Sequence, residues 1–232
     1  MIKFFSVADR ENMPSEAEVR ELYRAASVEP PLSEPESVAD LFARLYAFAL
    51  SSEDLSAVTA MEHGRLVAFA YGHPWSWSEQ QDAWSAQLRE RLGVVSQTLE
   101  GTHVLSLLAR HPDATGTRLG ARVLNAWLAG IDNSCVWLQT SDMKTPALRL
   151  YEQLGFVAIG HGPDAPNGMP GLVLYREAAA RRAIGLRASM CDNLGRAAGV
   201  TIRDRARAPG RAQRKPTRGW IVRPPRTSRS GR

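Results

Sequence analysis

Apolar residues recur along the first 178 positions with two periods, and these two patterns divide that stretch into short segments. Runs rich in β-branched and aromatic residues predict strands at residues 2–8, 55–61, 66–71, 103–109, 135–139, 156–159 and 172–175. Apolar residues spaced three and four apart predict helices at residues 16–26, 38–49, 79–92, 118–129 and 146–154. The order of these elements predicts an α/β (α+β) fold with a mixed, mostly antiparallel central sheet flanked by helices.

Local signals support several of the predicted boundaries. Ser15 followed by Glu18 has the spacing of a capping box and predicts a helix start. The segment 62–64 contains His63 and Gly64 and favours a hairpin turn between two strands. Pro146 suits the first turn of a helix, and Gly155 suits the position after its end.

The sign of the charge changes along the chain. The overall net charge is +5, but residues 1–180 hold 14 Lys and Arg against 22 Asp and Glu, whereas residues 181–232 hold 15 against 2. Hydrophobic periodicity also fades after residue 178, where Arg, Pro, Gly and Ser dominate. We therefore expect one domain over residues 1–178 and a basic, disordered tail over residues 179–232.

Composition limits the cellular compartments, metal sites and partners that can be expected. The two cysteines, Cys135 and Cys191, are far apart, and the five histidines are scattered without the spacing of metal ligands, so we expect no metal site. The absence of an 18-residue apolar run or a signal-peptide pattern favours a cytoplasmic protein without membrane partners. The tail arginines would bind phosphates only non-specifically, because the tail has one aromatic residue, Trp220, and no recognised nucleic-acid module.

The segment 106–127 predicts a buried strand, a short glycine-bearing loop and the start of a helix. The N–H groups at such a helix start can bind a phosphate, and Arg118 and Arg122 add positive charge nearby. An ordinary strand–loop–helix connection explains the same pattern, so geometry alone leaves both interpretations open.

Two segments together resemble the GNAT acetyltransferase superfamily. The first contains His111-Pro112-Asp113 and then Thr115-Gly116-Thr117-Arg118-Leu119-Gly120, which is similar to the family loop Gln/Arg-x-x-Gly-x-Gly/Ala. The second contains Pro146-Ala147, Leu150-Tyr151-Glu152 and Leu154-Gly155-Phe156, which is similar to a downstream pattern of the same family. The resemblance implies an acyltransferase that moves an acetyl group from acetyl-CoA, as cosubstrate, to an amine of a small molecule or protein.

The resemblance also implies roles for individual residues. The strand ending at Leu108, Ala109 and Arg110 would leave its neighbour and pair with the pantetheine through backbone groups. The loop and helix start would hold the pyrophosphate with Thr115, Gly116, Thr117, Arg118, Gly120 and Ala121. Tyr151 would protonate the departing thiolate, because a phenol can donate a proton. An alternative for Tyr151 is a tyrosine that only packs against Leu148 and Leu154.

Three positions depart from the family pattern. Thr115 stands where Gln or Arg is usual, Arg118 stands at the central glycine, and Lys144 stands where an asparagine is frequent. Arg118 would either crowd the pyrophosphate or pair with it, and Lys144 could reach a phosphate. Val104 and Leu107 occupy positions where family members often carry glutamates, which leaves His73, His103 and Ser106 as candidates for a general base.

The acceptor is expected near the Trp-rich insertion 74–100 and the first two helices. Trp75, Trp77 and Trp84 line an acceptor pocket in one interpretation and cover the sheet edge in the other. The leading hypothesis is an N-acetyltransferase, and the alternative is a CoA-binding or interaction module of the same fold without catalysis. The sequence specifies neither the acceptor nor the oligomeric state.

Overall fold

The computed structural model describes residues 1–51, 54–114 and 118–178. The tail 179–232 and the loop residues Thr115, Gly116 and Thr117 lie outside these ranges. None of the helices in the described residues has the length and apolar content needed to cross a bilayer.

Within the residues that the structure describes, seven strands and five α-helices follow the predicted order. The strands are β1 (Ile2–Phe5), β2 (Ser56–Glu62), β3 (Arg65–Trp75), β4 (Thr102–Arg110), β5 (Val136–Ser141), β6 (Val157–Gly162) and β7 (Gly171–Arg176). The helices are α1 (Glu16–Ser27), α2 (Glu36–Ala49), α3 (Ala83–Leu92), α4 (Leu119–Gly130) and α5 (Pro146–Gln153).

Side-chain caps explain where the predicted and observed boundaries agree or differ. Ser15 accepts a hydrogen bond from the Glu18 N–H and forms the expected capping box at the start of α1. The predicted first strand is too long, because Ser6 and Asp9 form a capping box that begins a 3-10 segment at Val7–Asn12. The predicted helix 79–92 begins only at Ala83, where Asp82 accepts from the Ser85 N–H.

All strands form one sheet in the order β1-β2-β3-β4-β5-β7-β6. Among the described strands, only the β4–β5 pair is parallel, so the predicted mixed, mostly antiparallel sheet is confirmed. The β2–β3 hairpin turns at His63 and Gly64, which both have positive φ angles, as a two-residue type I′ turn requires.

Helices cover both faces of the sheet. On one face, α4 and α5 bury a cluster that includes Leu124, Trp127, Leu138 and Tyr151. On the other face, α1 and α2 cover β2, β3 and the end of β4, and α3 covers β5 to β7. Because both faces are covered, β4 and β5 at the centre of the sheet are buried from above and below.

A β-bulge in β4 changes which face its side chains meet. Tyr71 pairs with Leu107 and Gly72 with Leu105, so Ser106 is an extra residue in β4. Leu105 therefore packs beneath α4, whereas Leu107 packs beneath α1 and α2, although an uninterrupted strand would place both on one face. The bulge therefore allows neighbouring side chains of β4 to pack into the hydrophobic clusters on both faces of the sheet.

Gly72 lies opposite this bulge and admits a close approach of α4. A Cβ at Gly72 would lie 2.1 Å from the Val104 carbonyl oxygen and 2.5 Å from the Trp127 ring. The Trp127 indole N–H in turn donates to the Ser56 hydroxyl at 3.0 Å. Trp127 is fully buried, so the position of α4 on the sheet depends on the missing side chain at Gly72.

We predict that Gly72→Ala lowers the free energy of unfolding by about 1–3 kcal/mol, because the sheet and Trp127 must move apart. Chemical denaturation measures the change. Gly120→Ala is a suitable control, since its Cβ would meet only Leu150, at 3.8 Å. Equal stability of Gly72→Ala and the wild type would contradict this account of the α4 contact.

Candidate active site

The two central strands separate after a short paired stretch and leave a cleft in the sheet. β4 and β5 pair only at His103 with Val136 and at Val104 with Trp137. Beyond these pairs β4 follows β3, while β5 follows β7 up to Ser141. The bulge at Ser106 begins two residues after the last pair, and a bulge bends its strand. We call the gap between residues 105–110 of β4 and residues 138–141 of β5 the cleft.

Backbone groups on the β4 side of the cleft have no strand partner in the described residues. The His111 N–H donates to the Val67 carbonyl at 2.8 Å, so this residue faces β3. Because direction alternates along an antiparallel ladder, Ala109 also faces β3, whereas Leu108 and Arg110 direct their N–H and C=O groups into the cleft. Two of the three strand residues predicted to bind the cosubstrate therefore have the required backbone direction.

The N-terminus of α4 begins at the open end of the cleft. Its N-cap residue, Arg118, makes no side-chain hydrogen bond to the helix, so its side chain does not cap the first N–H groups. Gly120 lies in this first turn with its side-chain position nearly open, and Ala121 beside it is half-buried. The arrangement suits an anion that approaches the backbone closely.

Arg118 adopts a left-handed backbone conformation, which favours glycine. Its φ and ψ angles are 52° and 28°, in the left-handed region, and its side chain is exposed. A residue with a Cβ is strained in this region by about 1–2 kcal/mol. The chain therefore keeps a glycine-like turn here and adds a positive charge beside the helix start.

Lys144 and Tyr151 lie on the β5 side of the cleft. Lys144 is exposed, one residue before Thr145, which caps α5 by accepting from the Leu148 N–H at 3.0 Å. Tyr151 is 6% exposed and packs edge-on against Phe156, with ring centroids 5.8 Å apart. Burial raises the pKa of the Tyr151 phenol, so the hydroxyl stays protonated at neutral pH.

The surroundings of Tyr151 are compatible with both roles considered for it in the sequence. Its ring belongs to the core beneath α4 and α5, as the packing interpretation expects. No group of the described residues is hydrogen-bonded to its hydroxyl. A phenol with a packed ring and an unused hydroxyl is positioned but remains able to donate a proton.

Two residues that the sequence did not single out lie on the opposite face of the sheet, one on α1 and one in the loop that follows it. Tyr23 of α1 donates from its hydroxyl to the Glu34 carboxylate at 2.7 Å. Burial raises the pKa of Tyr23, and so do the charge of Glu34 and the hydrogen bond to it. Tyr23 packs against the cluster that contains Leu107 and Ala109 of β4, on the face of the sheet opposite to Tyr151. Tyr23 has the helical spacing of a packing residue, and no sequence pattern indicates a role for Glu34.

The candidates for a general base lie elsewhere or serve the fold. His103 belongs to the last paired part of β4, at the closed end of the cleft, and His73 pairs with Val104 there. Burial lowers the pKa of both imidazoles. Ser106 is the bulge residue.

The tryptophans of the insertion mainly build the core beneath α3. Trp75 is buried and packs edge-on against Trp137 at 4.7 Å and against Trp77 at 5.2 Å. The Trp77 indole N–H donates to the Ser96 carbonyl at 3.0 Å, whereas Trp84 is 40% exposed. Covering the sheet is therefore the interpretation that the structure supports for Trp75 and Trp77.

Comparison with known proteins agrees with this geometry. The model of the acetyltransferase (GNAT) family matches residues 17–156, and the chain belongs to this family, as the sequence resemblance predicted. No curated relative matches the chain.

Solved structures of similar fold come from several organisms and activities. A protein described as a GNAT-family acetyltransferase from Desulfovibrio desulfuricans is 18% identical, with a TM-score of 0.52, over 77% of this chain and 100% of that one. An aminoglycoside 6′-acetyltransferase type Ii is 20% identical, with a TM-score of 0.51, over 76% and 96%. A ribosomal-protein-alanine N-acetyltransferase from Brucella melitensis is 12% identical, with a TM-score of 0.50, over 76% and 99%. At these identities the likeness shows the fold alone.

The left-handed backbone of Arg118 predicts that glycine substitutions at Arg118 and Arg122 change the free energy of unfolding in opposite directions. Arg118→Gly should raise the free energy of unfolding by up to about 1 kcal/mol, because glycine relieves the left-handed strain. Arg122→Gly, one turn later on the exposed face of α4, should lower it by about 1 kcal/mol through lost helix propensity. Denaturant unfolding of both variants tests the pair, and a loss of stability in Arg118→Gly would contradict the conformation described.

Proposed function

We propose that the protein transfers the acetyl group of acetyl-CoA to an amine. The observation that carries this proposal is the cleft itself, which combines unpaired backbone groups, a helix start and a protonated tyrosine. Leu108 and Arg110 offer the backbone groups, α4 offers its first N–H groups, and Tyr151 offers the proton. A turnover assay with acetyl-CoA and a panel of amines tests the proposal directly.

The residues present fit the parts of acetyl-CoA. The N–H and C=O groups of Leu108 and Arg110 would pair with the amides of the pantetheine arm, as a further strand would. The first turn of α4, from Arg118 to Ala121, would hold the pyrophosphate together with Thr115, Gly116 and Thr117. The exposed cations Arg118 and Lys144 would add charge for the phosphates, and Ala109 would support the strand through its bonds to β3.

When bound, acetyl-CoA supplies a thioester carbonyl carbon that an amine can attack. Attack by the neutral amine would form the C–N bond, and the C–S bond would break as Tyr151 donates its hydroxyl proton to the departing sulfur, because the phenol is protonated at neutral pH. The nitrogen would then release one proton to solvent, and solvent would return a proton to Tyr151. The helices on both faces exclude bulk water from the buried part of the cleft, and this limits hydrolysis of the thioester.

A binding module without catalysis is the alternative that Arg118 suggested. Arg118 keeps the turn that glycine would make and carries its side chain in solvent, so it gives no specific support to an obstructed site. Turnover of any amine in the panel would exclude this alternative, and coenzyme binding without turnover would favour it.

The proposed pyrophosphate position predicts that the size of the side chain at residue 120 decides whether acetyl-CoA binds. Gly120→Ala should preserve or raise stability by up to about 1 kcal/mol, because alanine favours the helix. Gly120→Val should abolish detectable acetyl-CoA binding, because its larger side chain occupies the space in front of the first turn. Calorimetry measures the affinities, and thermal unfolding checks that both variants fold. Wild-type affinity in Gly120→Val would place the coenzyme elsewhere.

If Tyr151 is the proton donor, removal of its hydroxyl should lower turnover without changing stability. Tyr151→Phe keeps the ring against Phe156 and removes only the hydroxyl, so we expect turnover to fall by about 10–10³-fold with the Tm nearly unchanged. Tyr46→Phe serves as the opposite control, because the Tyr46 hydroxyl donates to the Pro14 carbonyl at 2.8 Å. That variant should lose about 1 kcal/mol of stability and keep its turnover. Equal turnover in Tyr151→Phe would make this tyrosine a packing residue only.

A further inference from the structure

Ser106, the extra residue of the β4 bulge, carries a hydroxyl group at the closed end of the cleft. The last pair of β4 with β5 joins Val104 to Trp137, so Ser106 lies two residues beyond the point where the strands separate. Its hydroxyl makes no hydrogen bond to the part of the chain that the structure describes. A serine hydroxyl has one proton to donate, and the described residues leave this proton unused.

The cleft gives a ligand access to Ser106. The residue is half-buried, whereas its neighbours Leu105 and Leu107 are buried in the clusters on opposite faces of the sheet. Along this stretch β3 pairs with one edge of β4, and helices pack over the neighbouring side chains on both faces. The other edge of β4 borders the cleft, so solvent or a ligand reaches Ser106 from that side.

The order of the binding groups along β4 gives the direction of the coenzyme arm in the proposed complex. The helix start that would hold the pyrophosphate lies beyond Arg110, at the open end of the cleft. Arg110 and then Leu108 direct their backbone groups into the cleft, and Ser106 follows about 7 Å further along the strand at the usual rise of a strand. An arm that pairs with both residues therefore brings the acetyl thioester at its end towards the bulge.

We propose that Ser106 is a catalytic residue of the transfer reaction, and that its hydroxyl donates a hydrogen bond to the carbonyl oxygen of the acetyl thioester. As the neutral amine attacks and the C–N bond forms, negative charge grows on this oxygen and the hydrogen bond strengthens. Ser106 keeps its proton throughout, and the hydrogen bond weakens when the carbonyl forms again and the C–S bond breaks. Tyr151 acts on the sulfur and Ser106 on the oxygen. This inference rests on the proposed acetyltransferase function, because it assigns a further residue to that reaction.

The first test compares acetyl-CoA with S-ethyl-CoA, which lacks the carbonyl oxygen. Each is titrated into the full-length protein by calorimetry without an acceptor amine, so that no transfer to an amine occurs. We expect the wild type to bind acetyl-CoA about 3–10-fold more tightly than S-ethyl-CoA, which is the range of one neutral hydrogen bond. Ser106→Ala removes the hydroxyl and keeps every backbone group, so it should lose most of this preference and bind CoA itself as the wild type does.

Turnover gives the second test, and matched variants separate the hydroxyl from the fold. Ser106→Ala should lower kcat by about 10–10³-fold with little change in KM, as loss of one donor to a developing oxyanion does. Ser106→Thr keeps the hydroxyl and should retain the binding preference and most of the turnover. Ser134→Ala is the control, because the Ser134 hydroxyl already donates to the Ile131 carbonyl at 2.7 Å, and it should change neither quantity. Thermal unfolding checks that each variant folds.

Two results would overturn the inference: the wild type binds acetyl-CoA and S-ethyl-CoA equally, or a folded Ser106→Ala variant keeps the preference and the turnover. If Ser106→Ala does not fold, Ser106→Thr decides, because retention of the preference supports the role and its loss contradicts it. The affinity for CoA, measured in the same titrations, tests the proposed function separately. A protein that binds CoA without distinguishing the carbonyl loses only the role of Ser106, whereas a protein that does not bind CoA loses the proposed function itself.

Discussion

One extra residue in a central strand sets the geometry on which the candidate site depends. Ser106 interrupts the ladder between β3 and β4, and the parallel pairing of β4 with β5 ends two residues earlier. A sheet normally satisfies the backbone groups of its inner strands, so a gap at its centre leaves donors and acceptors without partners. Here those groups belong to Leu108 and Arg110, in a position that both helical layers shield. The register shift in the sheet thus leaves backbone groups available beside the candidate site.

Packing on one side of the bulge fixes the helix that completes this surface. The close approach of Trp127 to Gly72, together with its hydrogen bond to Ser56, holds α4 against the sheet. The helix start then lies just beyond the end of β4, because only a short loop joins them. The left-handed backbone at Arg118 turns the chain into the helix and leaves the first N–H groups without a side-chain cap. Core packing thus positions the helix start that is the candidate anion site.

Burial perturbs ionisable groups on both faces of the sheet. It raises the pKa of the Tyr151 phenol, which packs beneath α4 and α5, and that of the Glu34 carboxyl in the loop after α1. Tyr23 is hydrogen-bonded to Glu34 and packs against the cluster that contains Leu107 and Ala109 of β4. Polar groups in such places interact strongly with their partners because water competes weakly in a buried environment.

The sequence alone determined the elements, their order, the family and the segments around the α4 start and Tyr151, because caps, glycines and apolar periods are local signals. It overextended β1 and α3 where the competing caps at Ser6 and Asp82 begin other segments. Tertiary structure alone decided the bulge at Ser106, the insertion of β7 between β5 and β6, and the hydrogen bond between Tyr23 and Glu34. These features arise from strand register and from contacts between residues more than ten positions apart, which no local period records. Glu34 is the clearest case, because a loop glutamate shows its burial only when α1 and α2 pack around it.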